Sequence, residues 1–142
     1  MQIERDGIRF YARAAKVCRD RKTQDMFTKL AADEVNHLEK LEMAYDNLAE
    51  HKEWLVGKDL LDSEPKKMKD LELFEEDISG EDLSEEEALK RGIKAEEDSI
   101  RLYKNAHESF EGQEGGEIFK WLLEFERQHL QTLKKALKNR SD

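Results

Sequence analysis

Adding 92 to the residue number carries one apolar stripe of this chain onto another without a slip. Phe27 maps to Phe119, Leu30 to Leu122, Glu34 to Glu126, His37 to His129, Leu38 to Leu130, Leu41 to Leu133 and Ala44 to Ala136. The same offset maps Glu4 to Glu96, Asp6 to Asp98, Ile8 to Ile100, Arg9 to Arg101, Tyr11 to Tyr103 and Ala14 to Ala106. Within each stripe the apolar residues recur at three-and-four spacing, the period of a helix with one buried face. Residues 1–50 and 93–142 therefore read as two copies of one helical hairpin. A hairpin exposes half a core, and two copies closing on each other predict an all-α four-helix bundle.

Two polar residues interrupt each stripe. Glu34 and His37 are three apart, as are Glu126 and His129, so both members of each pair leave the same helix face and point where the core should be. A buried carboxylate is costly unless it is paired, protonated or bound to a metal. In a glutamate-rich chain one Glu-x-x-His is a weak signal, but two copies in register, with Glu4 and Glu96 in the same register, are a strong one. Glu4, Glu34, His37, Glu96, Glu126 and His129 are thus expected to gather at one level of the bundle as metal ligands. Four carboxylates balance the charge of two divalent cations, and two neutral imidazoles complete the coordination without adding charge. Such an oxygen-rich set suits iron, manganese or a mixed pair better than a structural zinc.

The chain divides into a hairpin 1–50, a crossover 51–83 and a hairpin 84–142, together one domain. Helix one covers residues 1–20, and Gly7 inside it implies that something approaches closely there. Glu4 lies near enough to the terminus to fray. Thr23 is a plausible N-cap for helix two, which runs to about Glu50. The crossover loses helical period yet keeps Trp54, Leu55, Val56, Leu60, Leu61, Leu71, Leu73, Phe74 and Ile78, which predicts a packed segment rather than a free linker. Ser84-Glu85-Glu86-Glu87 is a capping box that opens helix three, which ends near Phe110. Three glycines between Glu111 and Gly116 break the chain before helix four, expected over Glu117 to Asn139. Trp121, Leu123 and Phe125 lie off its stripe and suggest a second buried face, covered by the crossover or by a partner subunit.

Other candidates carry less. His51 lies about 21 Å along a helix from His37 and His107 about 16 Å from Glu96, too far to share the site. Tyr11 and Tyr103 each follow a candidate ligand glutamate by seven residues, two turns along one face, where a phenol can hydrogen-bond a ligand carboxylate, relay an electron or simply pack. Asp6 with Arg9 and Asp98 with Arg101 read as solvated pairs. Cys18 is the single cysteine, which excludes an intramolecular disulfide and an all-cysteine metal site and points to a reducing cytoplasmic setting. A net charge of −9 argues against nucleic-acid binding, and no apolar run reaches the roughly 20 residues of a membrane span. Charged residues make up 42 % of the chain, which long helices accommodate by turning a polar face to water.

The ligand pattern is that of ferritin-like carboxylate-bridged dimetal proteins. More closely, the chain resembles the rubrerythrin branch of that superfamily over nearly its whole length. The resemblance is carried by Ile3-Glu-Arg-Asp-Gly-Ile-Arg-Phe-Tyr11, Leu30-Ala-Ala-Asp-Glu-Val-Asn-His37, Ala95-Glu-Glu-Asp-Ser-Ile-Arg-Leu-Tyr103 and Glu124-Phe-Glu-Arg-Gln-His129. It implies that Glu34 and Glu126 bridge two irons, that Glu4 and His37 hold one, and that Glu96 and His129 hold the other. It implies a non-haem di-iron oxidoreductase acting on hydrogen peroxide or dioxygen, and a homodimer. Two family features are missing from this sequence. A further glutamate one turn after the helix-three ligand is replaced by Ser99, and the paired cysteines of a rubredoxin-type iron site are absent. Electrons would then come from a separate donor such as a rubredoxin-like protein. Rival readings are iron handling, as ferroxidase or iron buffer, and a bundle whose metal only holds the hairpins together.

Overall fold

A computed structural model of the protein describes residues 2–51, 84–110, 112 and 114–140. Its helices are α1 (Gln2–Val17), α2 (Arg21–His51), α3 (Glu85–Ser109) and α4 (Glu114–Arg140), and there is no strand among the described residues. The crossover expected over 51–83 lies, apart from His51, outside them.

Two of the helices begin where a side chain satisfies a free backbone N–H group. At α3 the serine half of the expected box forms, with Ser84 Oγ accepting the Glu87 N–H at 3.1 Å and three glutamates in the first turn, at the positive end of the helix dipole. At α2 the cap is Asp20 rather than Thr23. Asp20 Oδ2 accepts the Thr23 N–H at 3.0 Å and the Thr23 hydroxyl at 2.8 Å, so the helix starts three residues earlier and Thr23 is its third residue. An ionised carboxylate accepts both donors, which a threonine at that place cannot match. α4 also starts earlier than expected, at Glu114, after a turn in which Gly112 takes a φ of 81°. Glu85 joins three helix ends: it accepts the N–H groups of Arg19 and Asp20 at 2.8 and 3.0 Å and pairs with Arg140 at 2.5 Å.

α1 packs chiefly on α2 and α3 on α4, and the two hairpins meet through α1 against α3 and α2 against α4. This is the ferritin-like four-helix bundle of two repeated hairpins. Its core divides into layers. Tyr11, Ala14, Phe27, Leu30, Ala88, Leu89 and Leu133 form one apolar cluster, and Ala44, Tyr103, Ile118, Leu122 and Leu123 another. On α2 the pair Glu34 and His37 falls between Leu30 and Ala44. On α4 the pair Glu126 and His129 falls between Leu122 and Leu133, so the polar residues occupy the layer between two apolar plugs. The repeat survives in the packing, with Tyr11 stacked on Phe27 at 6.0 Å and Tyr103 on Phe119 at 6.3 Å between ring centroids. The close approach implied by Gly7 is that of α2: a Cβ on Gly7 would lie 3.4 Å from Glu34 Cγ, so α1 and α2 come together beside the polar layer.

Candidate metal centre

All six polar residues that the repeat singled out are buried and lie together. Carboxylate oxygens of Glu4, Glu34 and Glu126 and a ring nitrogen of His37 fall within 4.8 Å of one another, as do those of Glu34, Glu96, Glu126 and His129. Glu34 and Glu126 belong to both groups. His37 Nδ1 is 3.2 Å from Glu126 Oε1, 3.5 Å from Glu34 Oε2 and 3.6 Å from Glu4 Oε2. His129 Nδ1 is 3.4 Å from Glu34 Oε1, 3.5 Å from Glu96 Oε1 and 3.6 Å from Glu126 Oε2. Each shared carboxylate thus turns one oxygen to each imidazole. Glu4 does not fray: it lies in the first turn of α1 and is 1 % exposed.

The donors are aimed at a common centre without satisfying one another. Glu4 Oε2, Glu96 Oε2, both oxygens of Glu126 and the Nδ1 atoms of His37 and His129 are buried with no hydrogen-bond partner among the described residues. Buried polar atoms are almost always paired, and so many unpaired around one point match the donor set of hard divalent cations. The cluster fits a metal pair.

Tyr11 and Tyr103 are both buried, and each reaches across the hairpin boundary. Tyr11 on α1 donates its hydroxyl to Glu96 Oε1 on α3, and Tyr103 on α3 donates to Glu4 Oε1 on α1. Spacing alone places each tyrosine two turns along the helix from the glutamate of its own helix; the structure pairs it with the glutamate of the other hairpin. His107 lies apart, its Nδ1 3.0 Å from the Gly116 carbonyl across the α3–α4 turn. Cys18 is buried in the first core cluster, and burial pushes its thiol up to about 11. Of the solvated pairs, Asp98 bonds Lys94 at 3.2 Å and Arg101 at 3.7 Å, while Asp6 accepts from Gln2 at 2.8 Å.

Trp121 and Phe125 pack on the site itself, and the crossover expected to cover them lies outside the described residues. Their rings lie 5.3 and 5.0 Å from that of His37, so they wall the site within one chain, while Leu123 joins the second core cluster. Two features were not anticipated. Asp33 Oδ2 lies 2.9 Å from His129 Nε2. A cavity of about 260 Å³ between α1 and α3 is lined by Gly7, Phe10, Tyr11, Ser99 and the buried Glu34 and Glu96, with Asp6 and Asp98 also on its wall. It follows the repeat, since Gly7 maps to Ser99 and Asp6 to Asp98 under the same offset of 92.

Without a cation the cluster balances its charge with protons. Burial, reinforced by Glu34, holds the Glu4 carboxyl well above the usual carboxylate range, and burial with its neighbours raises Glu96 to about 9. For Glu34 and Glu126 burial also opposes ionisation, but contact with Glu4 and then with both imidazoles outweighs it at Glu34, contacts with both imidazoles outweigh it at Glu126, and both are lowered. His37 and His129 are raised against the effect of burial by the carboxylates around them, Glu126 first for His37 and Asp33 first for His129. Glu96, raised to about 9, holds its proton at pH 7, and a cation must displace that proton to bind. Cation uptake therefore releases protons, and affinity falls as pH falls. A pH indicator in weakly buffered solution will record acidification on anaerobic Fe(II) addition; no proton release would contradict this charge state.

Two repeated hairpins around a buried layer of carboxylates and imidazoles define the class: a ferritin-like bundle with a candidate dinuclear metal centre. The family model described as Rubrerythrin matches residues 1–137, and the chain belongs to the rubrerythrin family. Comparison with curated proteins gives no match. Comparison with solved structures gives none either. No helix among the described residues is long and apolar enough to cross a membrane.

Proposed function

We propose that the protein is a non-haem di-iron oxidoreductase that reduces hydrogen peroxide with electrons from a separate donor. The observation that carries this reading is the pair of overlapping donor groups sharing Glu34 and Glu126. Glu4, Glu34, Glu126 and His37 would hold one ion and Glu34, Glu96, Glu126 and His129 the other. Two Fe(II) ions, when bound, supply one electron each and polarise the O–O bond. The balance is H2O2 + 2 e⁻ + 2 H⁺ → 2 H2O.

The chain's own residues supply position, protons and exclusion. Tyr11 and Tyr103 each hold one oxygen of Glu96 and Glu4 respectively, and each keeps an O–H proton one hydrogen bond from the centre. The cavity beside Gly7 and Ser99 gives a small oxidant a path to Glu34 and Glu96, while the apolar plugs keep bulk water out. In this reading the electrons come from a separate donor, for which a rubredoxin-like iron protein is suited. The working form is taken to be a cytoplasmic homodimer, consistent with the free Cys18 and with exposed Met43, Tyr45 and Leu102.

Stopped-flow absorbance of the Fe(II)-loaded protein tests the reaction. Oxidation by peroxide is expected to outpace oxidation by dioxygen, and the reverse order would make dioxygen the substrate. One observation favours a second reading, iron handling: Asp6 and Asp98 on the cavity wall suit a passing cation. Turnover of many irons per chain, rather than two, would establish it.

A further inference from the structure

The repeat that makes the two halves alike fails at the residues standing behind the imidazoles. Adding 92 to Asp33 gives Phe125, and adding 92 to Lys29 gives Trp121. His129 turns Nδ1 to the carboxylates and Nε2 to Asp33 Oδ2 at 2.9 Å. Because that acceptor is a carboxylate, Nε2 carries the hydrogen and Nδ1 presents its lone pair when the ring is neutral. His37 also turns Nδ1 to the carboxylates, but its Nε2 is buried with no hydrogen-bond partner among the described residues. Its ring instead packs against Phe125 at 5.0 Å and Trp121 at 5.3 Å.

The remaining surroundings match. Each group holds the two shared carboxylates, and each outer glutamate accepts from one tyrosine, Glu4 from Tyr103 and Glu96 from Tyr11. The difference between the halves is therefore concentrated in Asp33 against Phe125. A carboxylate behind a ligating imidazole fixes the ring's orientation and tautomer before the cation arrives and makes the facing nitrogen a stronger donor. It also adds a negative charge near the ion. An aromatic wall supplies none of these, and the ring N–H has no acceptor among the described residues.

We infer that the two metal positions are inequivalent: a divalent cation fills the position of Glu34, Glu96, Glu126 and His129 first and more tightly, and that of Glu4, Glu34, Glu126 and His37 second. This rests on the dinuclear reading above and deepens it. Asp33 is a positioning residue, acting on the ion through His129, and nothing in the proposed reaction is needed to detect it.

The test is anaerobic titration of the metal-free full chain with Co(II), read by visible absorption and by competition with a chelator. A first ion repels a second at either position, so two steps in the parent protein do not discriminate; the variants do. His37→Ala is expected to keep one ion at the parent's first-step affinity. His129→Ala is expected to bind its first ion at least about tenfold more weakly, since loss of such an outer partner costs ~10–100-fold in metal affinity. Asp33→Ala weakens the first step by about 10–100-fold in both the parent and the His37→Ala background. In the His129→Ala background it changes nothing. Asp33→Asn keeps an acceptor but not the charge and falls between; it replaces Asp33→Ala in the comparison if circular dichroism shows that Asp33→Ala has lost helix. Equal first-step affinities in His37→Ala and His129→Ala, or an Asp33 effect that is the same in both backgrounds, overturn the inequivalence and leave the dinuclear centre standing. A parent protein that binds no ion, or only one, overturns both.

Discussion

Two Fe(II) ions per chain, added without oxygen, raise the thermal midpoint of the metal-free protein by more than about 10 °C, and the double variant Glu34→Ala, Glu126→Ala shows no such rise. A ligand that binds only the folded state stabilises it by about 4 kcal/mol per site at a thousandfold excess over its dissociation constant. In domains of this size each kcal/mol moves the midpoint by at least about 2 °C. The unfolded chain cannot gather ligands from four helices, so nearly all of the binding energy appears as folding stability. Glu34 and Glu126 belong to both donor groups, and removing them empties both positions. The metal-free variant is expected to lie below the metal-free parent, because truncation takes two paired carboxylates away from the buried His37 and His129 as well as packing volume, so the rise on adding iron is read against each protein's own metal-free midpoint. Calorimetry of all four samples checks this. An equal rise in parent and variant would mean that the ions bind elsewhere.

Phe27→Ala is expected to destabilise the metal-free protein by about 3–5 kcal/mol, the range for emptying a buried aromatic site. Phe27 is fully buried in the first apolar cluster and stacks on Tyr11, whose hydroxyl holds Glu96. Its repeat partner Phe119 is only partly buried, packs on the second cluster and stacks on Tyr103. Phe119→Ala therefore loses less apolar burial and costs less. Urea unfolding of the two variants gives the comparison. Equal costs would mean that the repeat's two aromatic layers are energetically alike despite their different exposure.

The helices and the six clustered polar residues were legible in the sequence because both depend on local spacing. An apolar stripe at helical period says which face of a helix is buried, and a glutamate and a histidine three apart on that face are buried with it whatever the partner helix is. Repetition at an offset of 92 supplied the rest, since it joined Glu4 and Glu96 to the two Glu-x-x-His pairs. Helix starts were less legible. Thr23 and Asp20 are both capping residues three apart, and the backbone geometry of the turn after Val17 selects Asp20.

What crosses from one helix to another was decided only by the tertiary structure. Tyr11 meets Glu96 and Tyr103 meets Glu4, a contact between hairpins rather than along a helix. Trp121 and Phe125, which the sequence places off the helix stripe, wall His37. Asp33 lies one residue before a candidate ligand, yet it serves the histidine of the opposite hairpin. A break in the repeat, Asp33 against Phe125, was visible as a signal, but its meaning was not. Periodicity fixes the rotation of each helix about its own axis. The stagger and separation of neighbouring helices, which decide whose side chain stands behind whose imidazole, come from side chains of all four helices packing at once.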